Sequence, residues 1–307
     1  MISDEQREQI ETKIGNVGSL PTLPDVVVKI TELVNSPNSS MRQIESVIEV
    51  DPVLSSTVLK VVNSSFYGMA QEISALRLAL VILGIKEIKN LVLSLSVFRL
   101  FSGKTYKQDF NLKDFWHHSA TTGQIAKTLS QRLNLQFAGE EFVGGLIHDI
   151  GKVVLFKTLD DEYIEVMKYA REKRARLHQV EMDTFGFHHG HVGGWLGEKW
   201  HLPKKLIATV VYHNNPKKTP EYQQLVGIVS LASALTRAAG ANPDAPFEAF
   251  ILKEHPAMQM LMDNTIGFES IDWERFTLEL GTDVRKSVEF VTLSQQSLWK
   301  NKQESAV

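Results

Sequence analysis

The sequence predicts an all-α protein built as two helical lobes followed by a C-terminal helical extension. Three observations predict this. Apolar residues recur at three- and four-residue intervals in one segment after another. Asp, Ser and Pro stand where helix starts need them. No stretch alternates apolar and polar residues as a half-buried strand would. With 307 residues, 43% of them hydrophobic, the chain can bury one large core or two smaller ones, and two packed lobes are the default expectation.

The elements follow in order. Pro24 and Asp25 open an apolar helix over 26–34 that Asn35 and Pro37 close. Ser40 with Gln43 three residues later forms a capping box for a helix reaching Val50. Asp51-Pro52 places a cap and a first-turn proline at the start of the next helix, which runs to about Val62 and is ended by Asn63, Ser64 and Ser65. The most apolar region, 75–101, is interrupted by Arg77, Lys86, Glu87 and Lys89. It is therefore too broken to span a bilayer and reads as two buried helices, 74–83 and 86–101, meeting near Gly84. Further helices are expected at 113–133, 139–148, 161–176, 190–200, 203–213 and 221–239. The polar stretch 102–109 marks a lobe boundary, giving lobes of 1–105 and 106–240. The run Gly240-Ala241-Asn242-Pro243-Asp244-Ala245-Pro246 sets off an extension of 241–307, with two or three helices, one starting at an Asp272 cap. No repeat or low-complexity tract is present.

Composition narrows function. Lys and Arg total 33 against 36 Asp and Glu, a net charge of -3, so no overall field attracts a polyphosphate. There is no cysteine, which excludes disulfides, thiolate metal sites and Cys nucleophiles and fits a reducing compartment. The residues from Met1 to Gln6 lack a basic region followed by an apolar one, so the expectation is a cytoplasmic protein without a membrane partner. Residues 75–83, Gly84 and 85–100 imitate a helix-turn-helix. A reading helix would present Arg, Asn or Gln to base edges, whereas this one is mostly Leu, Val, Ile and Ser, with Lys86, Lys89 and Asn90 only at its start. Core packing is the expectation, and nucleic acid is not an expected partner. The pairs Lys204-Lys205 and Lys217-Lys218 flank His213 and read either as a solvated face or as an anion attractor.

The histidines carry the chemistry. Nine of the ten lie between His117 and His213, and His148 is followed directly by Asp149. Neutral imidazole with carboxylate is a donor set that borderline divalent metals favour. Consecutive helical side chains diverge by about 100°, yet both reach one ion where a helix ends, and Gly151 is the expected stop. Lys152, three residues past Asp149, is placed to pair with it or to donate to an anion. His117-His118 follow Trp116; His188, His189 and His191 surround Gly190; His213 closes a helix that Pro203 opens and Pro216 terminates. Each stands at or near a helix end. Spacing alone leaves two readings open, a set of caps and solvated side chains or a metal site.

The string Gly144-Gly145-Leu146-Ile147-His148-Asp149-Ile150-Gly151-Lys152 resembles the signature of the HD superfamily of metal-dependent phosphohydrolases. Leu20-Pro21-Thr22-Leu23-Pro24, Asp51-Pro52-Val53-Leu54, Asn63-Ser64-Ser65-Phe66-Tyr67 and Leu83-Gly84 are similar to the first half of the HDOD domain, a signalling-associated branch of that superfamily. Trp116-His117-His118-Ser119, the run from Phe187 to Gly193, and Tyr212-His213-Asn214-Asn215-Pro216 continue the likeness, which covers about residues 15–216.

The resemblance implies that the second lobe is an HD-like helical bundle. It also implies metal ligands at His118, His148 and Asp149, with His189 and His213 completing a wider, two-ion site for a divalent transition metal such as Fe, Mn, Zn or Ni. Lys152 would be the catalytic residue of an active site. Two departures bear on activity. Ser233 stands where catalytic members carry a late Asp ligand, and the His-His-Glu run and the Gly-Tyr-Pro of cyclic-dinucleotide phosphodiesterases are absent. A neutral serine brings no compensating charge to a cation. The implied function is a non-catalytic, metal-binding regulator of bacterial type that relays a signal to a protein partner. The alternative is a metal-dependent phosphohydrolase or phosphodiesterase acting on a nucleotide or cyclic dinucleotide.

Overall fold

The structure, a computed structural model, describes residues 2–14, 22–36, 39–101, 110–240 and 252–304, with side chains to residue 295. The lobe boundaries expected at 102–109 and just after Gly240 lie outside the described residues, as do Leu20, Pro21 and Pro37. The fold is all-α, with no strand among the described residues. In chain order the helices are α1 (Asp4–Ile14), α2 (Asp25–Asn35), α3 (Met41–Glu49), α4 (Pro52–Val62), α5 (Leu76–Leu83), α6 (Ile85–Phe101), α7 (Leu112–Arg132) and α8 (Glu140–Ile147). They continue with α9 (Ile150–Leu159), α10 (Asp161–Glu172), α11 (Leu177–Phe185), α12 (His189–Lys199), α13 (Lys204–Tyr212), α14 (Gln223–Ala238), α15 (Pro256–Asn264) and α16 (Trp273–Glu304).

The expected caps form. Ser40 and Gln43 make the reciprocal capping box of α3. The Asp51 carboxylate accepts from the amides of Val53 and Leu54 and also pairs with Arg99, 2.7 Å away. Asp272 accepts from the Arg275 amide at the head of α16.

Three helices escape the sequence reading, each for a physical reason. α1 and α11 are short and fully bury only Ile10 with Ile14 and Val180 with Glu181, so neither shows a full apolar stripe. α9 starts directly after α8 and carries Gly151 as its second residue. The expected stop at Gly151 is thus corrected: the chain turns at His148 and Asp149, and Gly151 is helical. Gly is there because α9 lies against α12; a Cβ on Gly151 would fall 1.9 Å from the His189 carbonyl oxygen. The reading of 75–101 as two buried helices is also corrected. α6 is buried on nearly every face from Ile88 onward, but α5 buries Leu76, Ala79 and Leu80 and leaves Leu78, Val81 and Ile82 exposed.

One apolar core runs through most of the fold, from Ile2 and Ile10 through Val58, Phe98 and Trp116 to Ile147, Trp195 and Phe290. A second joins α7, α14, α15 and α16 through Leu129, Ile228, Leu261 and Phe276. α7 is the shared wall, packed on α8, α14 and α16. Its approach to α8 is possible because Gly123 and Gly145 face each other, a Cβ on Gly145 coming within 2.4 Å of the Gly123 Cα. No described helix is long and apolar enough to cross a membrane.

Candidate metal centre

Five side chains from separate elements converge behind that wall. His118 projects from the second turn of α7, His148 caps the end of α8, Asp149 precedes α9, His189 begins α12, and His213 caps the end of α13. All five are buried. Asp149 lies between two sets of imidazoles. Its Oδ1 is 3.2 Å from His189 Nε2 and 3.3 Å from His213 Nε2. Its Oδ2 is 3.4 Å from His148 Nε2 and 3.8 Å from His118 Nε2. Two groups of potential ligands therefore share one carboxylate, His118 with His148 and Asp149, and Asp149 with His189 and His213. Lys152 Nζ stands 2.6 Å from Asp149 Oδ2, the pairing its spacing predicts.

A ring of acceptors behind the histidines sets their protons. His148 Nδ1 donates to the Gly145 carbonyl at 2.6 Å and His213 Nδ1 to the Val210 carbonyl at 2.8 Å. His189 Nδ1 donates to Glu181 Oε2 at 2.6 Å, and the His189 backbone amide donates to the same oxygen. Tyr163 donates its hydroxyl proton to the other Glu181 oxygen at 2.7 Å. Because each of these oxygens can only accept, Nδ1 of each of the three rings carries a proton, which turns each Nε2 toward Asp149 as the atom available to a metal. His118 is buried with no hydrogen-bond partner for either ring nitrogen, a costly state unless something else uses its lone pair.

The electrostatics fit the same use. Burial holds His118 neutral down to about 3 and pulls His148 well below the ordinary histidine value. Burial opposes charge on Asp149 too, but the imidazoles and Lys152 around it keep the carboxyl ionised far below its usual range. Against its own burial, His189 is raised by the Glu181 carboxylate. A charged carboxylate beside His118, His148 and His213, whose burial favours the neutral ring, with the Nε2 of His189 turned to the same carboxylate, is the donor set of a divalent transition metal, which displaces any proton on that nitrogen. The residues present therefore fit such an ion.

Other sequence candidates lie outside these groups. His117 is half-buried, away from the ligand atoms. His188 caps α12 by accepting from the Gly190 amide and stacks on His191, ring centroids 3.7 Å apart. Ser233 does reach the centre: its Oγ is 3.2 Å from His148 Nε2 and accepts from Arg237 Nη1 at 2.9 Å. Glu181, Tyr163 and the contact role of Asn214, whose Nδ2 is 2.9 Å from His189 Nε2 and 2.8 Å from His213 Nε2, were not singled out by sequence. An acid eight residues ahead of a histidine carries no local signal of its own.

Comparison with known proteins identifies the family and the fold. A model of the HDOD domain matches residues 20–216. An uncharacterized protein of Treponema pallidum (strain Nichols) is 25% identical over 234 residues, 76% of this chain and 44% of that protein, so the chain spans less than half the length of this curated relative. The crystal structure of an HDOD domain protein of unknown function from Geobacter sulfurreducens superposes with a TM-score of 0.76 at 23% identity, covering 95% of this chain and 97% of that one. A protein of Shewanella amazonensis SB2B, provisionally named a phosphohydrolase, superposes with a TM-score of 0.70 at 21% identity over 93% of this chain and 98% of its own. At these identities the two structures speak to the fold.

Proposed function

This chain belongs to the HDOD domain family, and from that premise we propose that it is a signal-transduction regulator whose buried centre holds a divalent transition metal without hydrolysing a substrate. His118, His148, Asp149, His189 and His213 would hold the ion. When bound, a divalent cation supplies Lewis acidity at the centre. The residues of the chain do the rest: Gly145, Val210 and Glu181 aim the rings, and Lys152 neutralises part of the Asp149 charge.

The observation that carries the non-catalytic reading is Ser233. It borders His148 at 3.2 Å with the Arg237 guanidinium bonded behind it, so a neutral hydroxyl and a cation stand at the corner where catalytic relatives are expected to bring a carboxylate. Both weaken cation binding at that corner relative to an anionic ligand. The output would then pass through protein contacts to a signalling partner.

One observation favours the second reading, a phosphohydrolase acting on a nucleotide or cyclic dinucleotide. Lys152, 2.6 Å from Asp149, is a cation beside the centre, able to bind a phosphoryl oxygen. Metal analysis of protein purified without an affinity metal column, followed by a phosphodiesterase assay with added manganese, separates the readings. Regulation predicts stoichiometric metal and no turnover of cyclic dinucleotides. A rate on the order of 1 per second or more would replace it with the hydrolase, and protein devoid of metal would remove the metal from either.

A further inference from the structure

A cavity of about 640 Å³ opens beside the centre. Its walls come from the α10–α11 junction, the segment after α13 and the start of α15, through Tyr169, Lys173, Arg176, Asp183, Asn214 and Pro256. That volume lies within the range of small-molecule pockets, roughly 300–1,000 Å³. Asn214 belongs to both places, lining the cavity while its amide nitrogen touches His189 and His213.

The wall chemistry is specific. Lys173 and Arg176 are exposed cations that no carboxylate of the described residues pairs with. Asp183 is the single acid on the wall, and it is already accepting from Gln179 at 3.2 Å. Tyr169 leaves 53% of its surface exposed and carries Lys173 Nζ 5.9 Å from its ring centroid, so an aromatic face and a cation stand together. His255, at the α15 border, is pushed to about 4 by burial first and then by Arg237 and Arg176, which places both guanidiniums in one positive field. A guanidinium with two forks of donors suits a phosphate, and a tyrosine face suits a flat base.

We propose that this cavity is a nucleotide-binding pocket, taking a nucleoside monophosphate unit with its phosphate on Arg176 and Lys173 and its base against Tyr169. The proposal rests on the regulatory reading for its purpose: the nucleotide is the sensed ligand, and Asn214 is the side chain through which the pocket borders the metal centre. The cation at Arg176 recognises the anion, whereas the acid Asp183 and the amides of Asn214 and Asn215 offer hydrogen bonds to sugar or base.

Isothermal titration of the full chain with AMP, GMP, adenosine and inorganic phosphate tests it. A monophosphate is expected to bind about tenfold or more tightly than either phosphate or nucleoside alone, since both halves of the pocket contribute. Arg176→Ala should weaken the monophosphate by about tenfold through loss of a charge-assisted pair. Because the Arg176 side chain makes no cap bond to α11, the fold and metal content should stay unchanged. Tyr169→Leu should reduce the monophosphate to the affinity of phosphate alone. Absence of nucleotide binding at millimolar concentrations, or equal affinity in Arg176→Ala, overturns the pocket. Metal content measured on the same samples reads the proposed function separately: normal metal without nucleotide binding sinks the pocket alone, and nucleotide binding by metal-free protein sustains the pocket while sinking the metal centre.

Discussion

Glu181 grips His189 at two points, one carboxylate oxygen accepting from both its ring Nδ1 at 2.6 Å and its backbone amide at 2.9 Å. The ring is therefore oriented by the same group that anchors the first residue of α12. Tyr163 holds the second oxygen, so the carboxylate cannot turn away.

Replacing this acid isolates its orienting role. Glu181→Gln keeps the shape but removes the charge that raises His189. Metal affinity should fall by about 10- to 100-fold, the usual effect of losing an outer partner. Chelator competition monitored by metal release reads it, with circular dichroism as the check on folding. Unchanged affinity would show that His189 does not ligate.

Acid should destabilise the metal-free protein. Burial, the largest cause for each, holds His118 at about 3 against the pull of Asp149, and His178, His191 and His255 at about 4. Between those values and the unfolded value of about 6.5, the unfolded chain binds more protons. Stability therefore falls as pH falls through this window, by at most ~1.4 kcal/mol per pH unit for each such histidine. His189 acts oppositely: with its folded value raised, its contribution is complete below the unfolded value and is lost as pH rises through the folded one. Two carboxyls raised chiefly by burial, Glu141 to about 7 and Asp283, act in the same direction as His189, and the lowered histidines outnumber these three. Urea midpoints of chelator-treated protein should drop between pH 7 and 5, and a flat or rising midpoint would contradict the neutral assignment.

Gly151→Ala should be among the costliest small substitutions in the chain. Its Cβ would meet the His189 carbonyl oxygen at 1.9 Å and the Gly193 amide nitrogen at 2.8 Å. Backbone cannot step aside as a side-chain tip can, so α9 and α12 must separate. Overpacking of this kind costs about 1–3 kcal/mol or more, and the separation should also lower metal affinity because Asp149 and His189 ride on the two helices. Gly84→Ala is the control. Nothing lies within 4 Å of its Cβ, but φ is +85°, so it should lose about 1 kcal/mol from backbone strain alone and keep its metal affinity. Denaturation midpoints with metal titration compare the two.

Ser233→Asp places an anionic oxygen beside His148, next to the Arg237 guanidinium. Metal binding should tighten on the order of tenfold, with Arg237 competing for the new carboxylate and limiting the gain. Turnover need not follow, because positioning a substrate is a separate requirement. Metal affinity by competition is the readout, and weaker binding in the variant would show that this corner faces away from the ion.

How far sequence reaches depends on the range of the interaction. Asp51, Ser40 and Asp272 were legible as caps because a cap is a bond between residues two or three apart. Lys152 pairing with Asp149 is legible for the same reason. α1 and α11 are not, since each buries only two residues: those of α1 join a core shared with the distant α9 and α12, and Val180 of α11 packs on Val166 and Ala170 of α10. Gly151 reads as a stop in sequence because glycine is a breaker in isolation. Its presence inside α9 reflects the backbone of α12 lying against it, which no local rule contains.

The sequence by itself determined that the chain is all-α, where most helices begin, and which histidines and Asp149 are candidate ligands, because periodicity, caps and residue chemistry are local properties. Only the tertiary structure decided that Asp149 turns one oxygen to His189 and His213 and the other to His148 and His118. It also decided that His188 and His191 stack on each other instead, that Glu181 stands behind His189, and that Ser233 carries Arg237 to the edge of the centre. These relations span up to 85 positions, from His148 to Ser233, and arise from helix packing, where glycine contacts between α7 and α8 and between α9 and α12 set how closely the side chains meet.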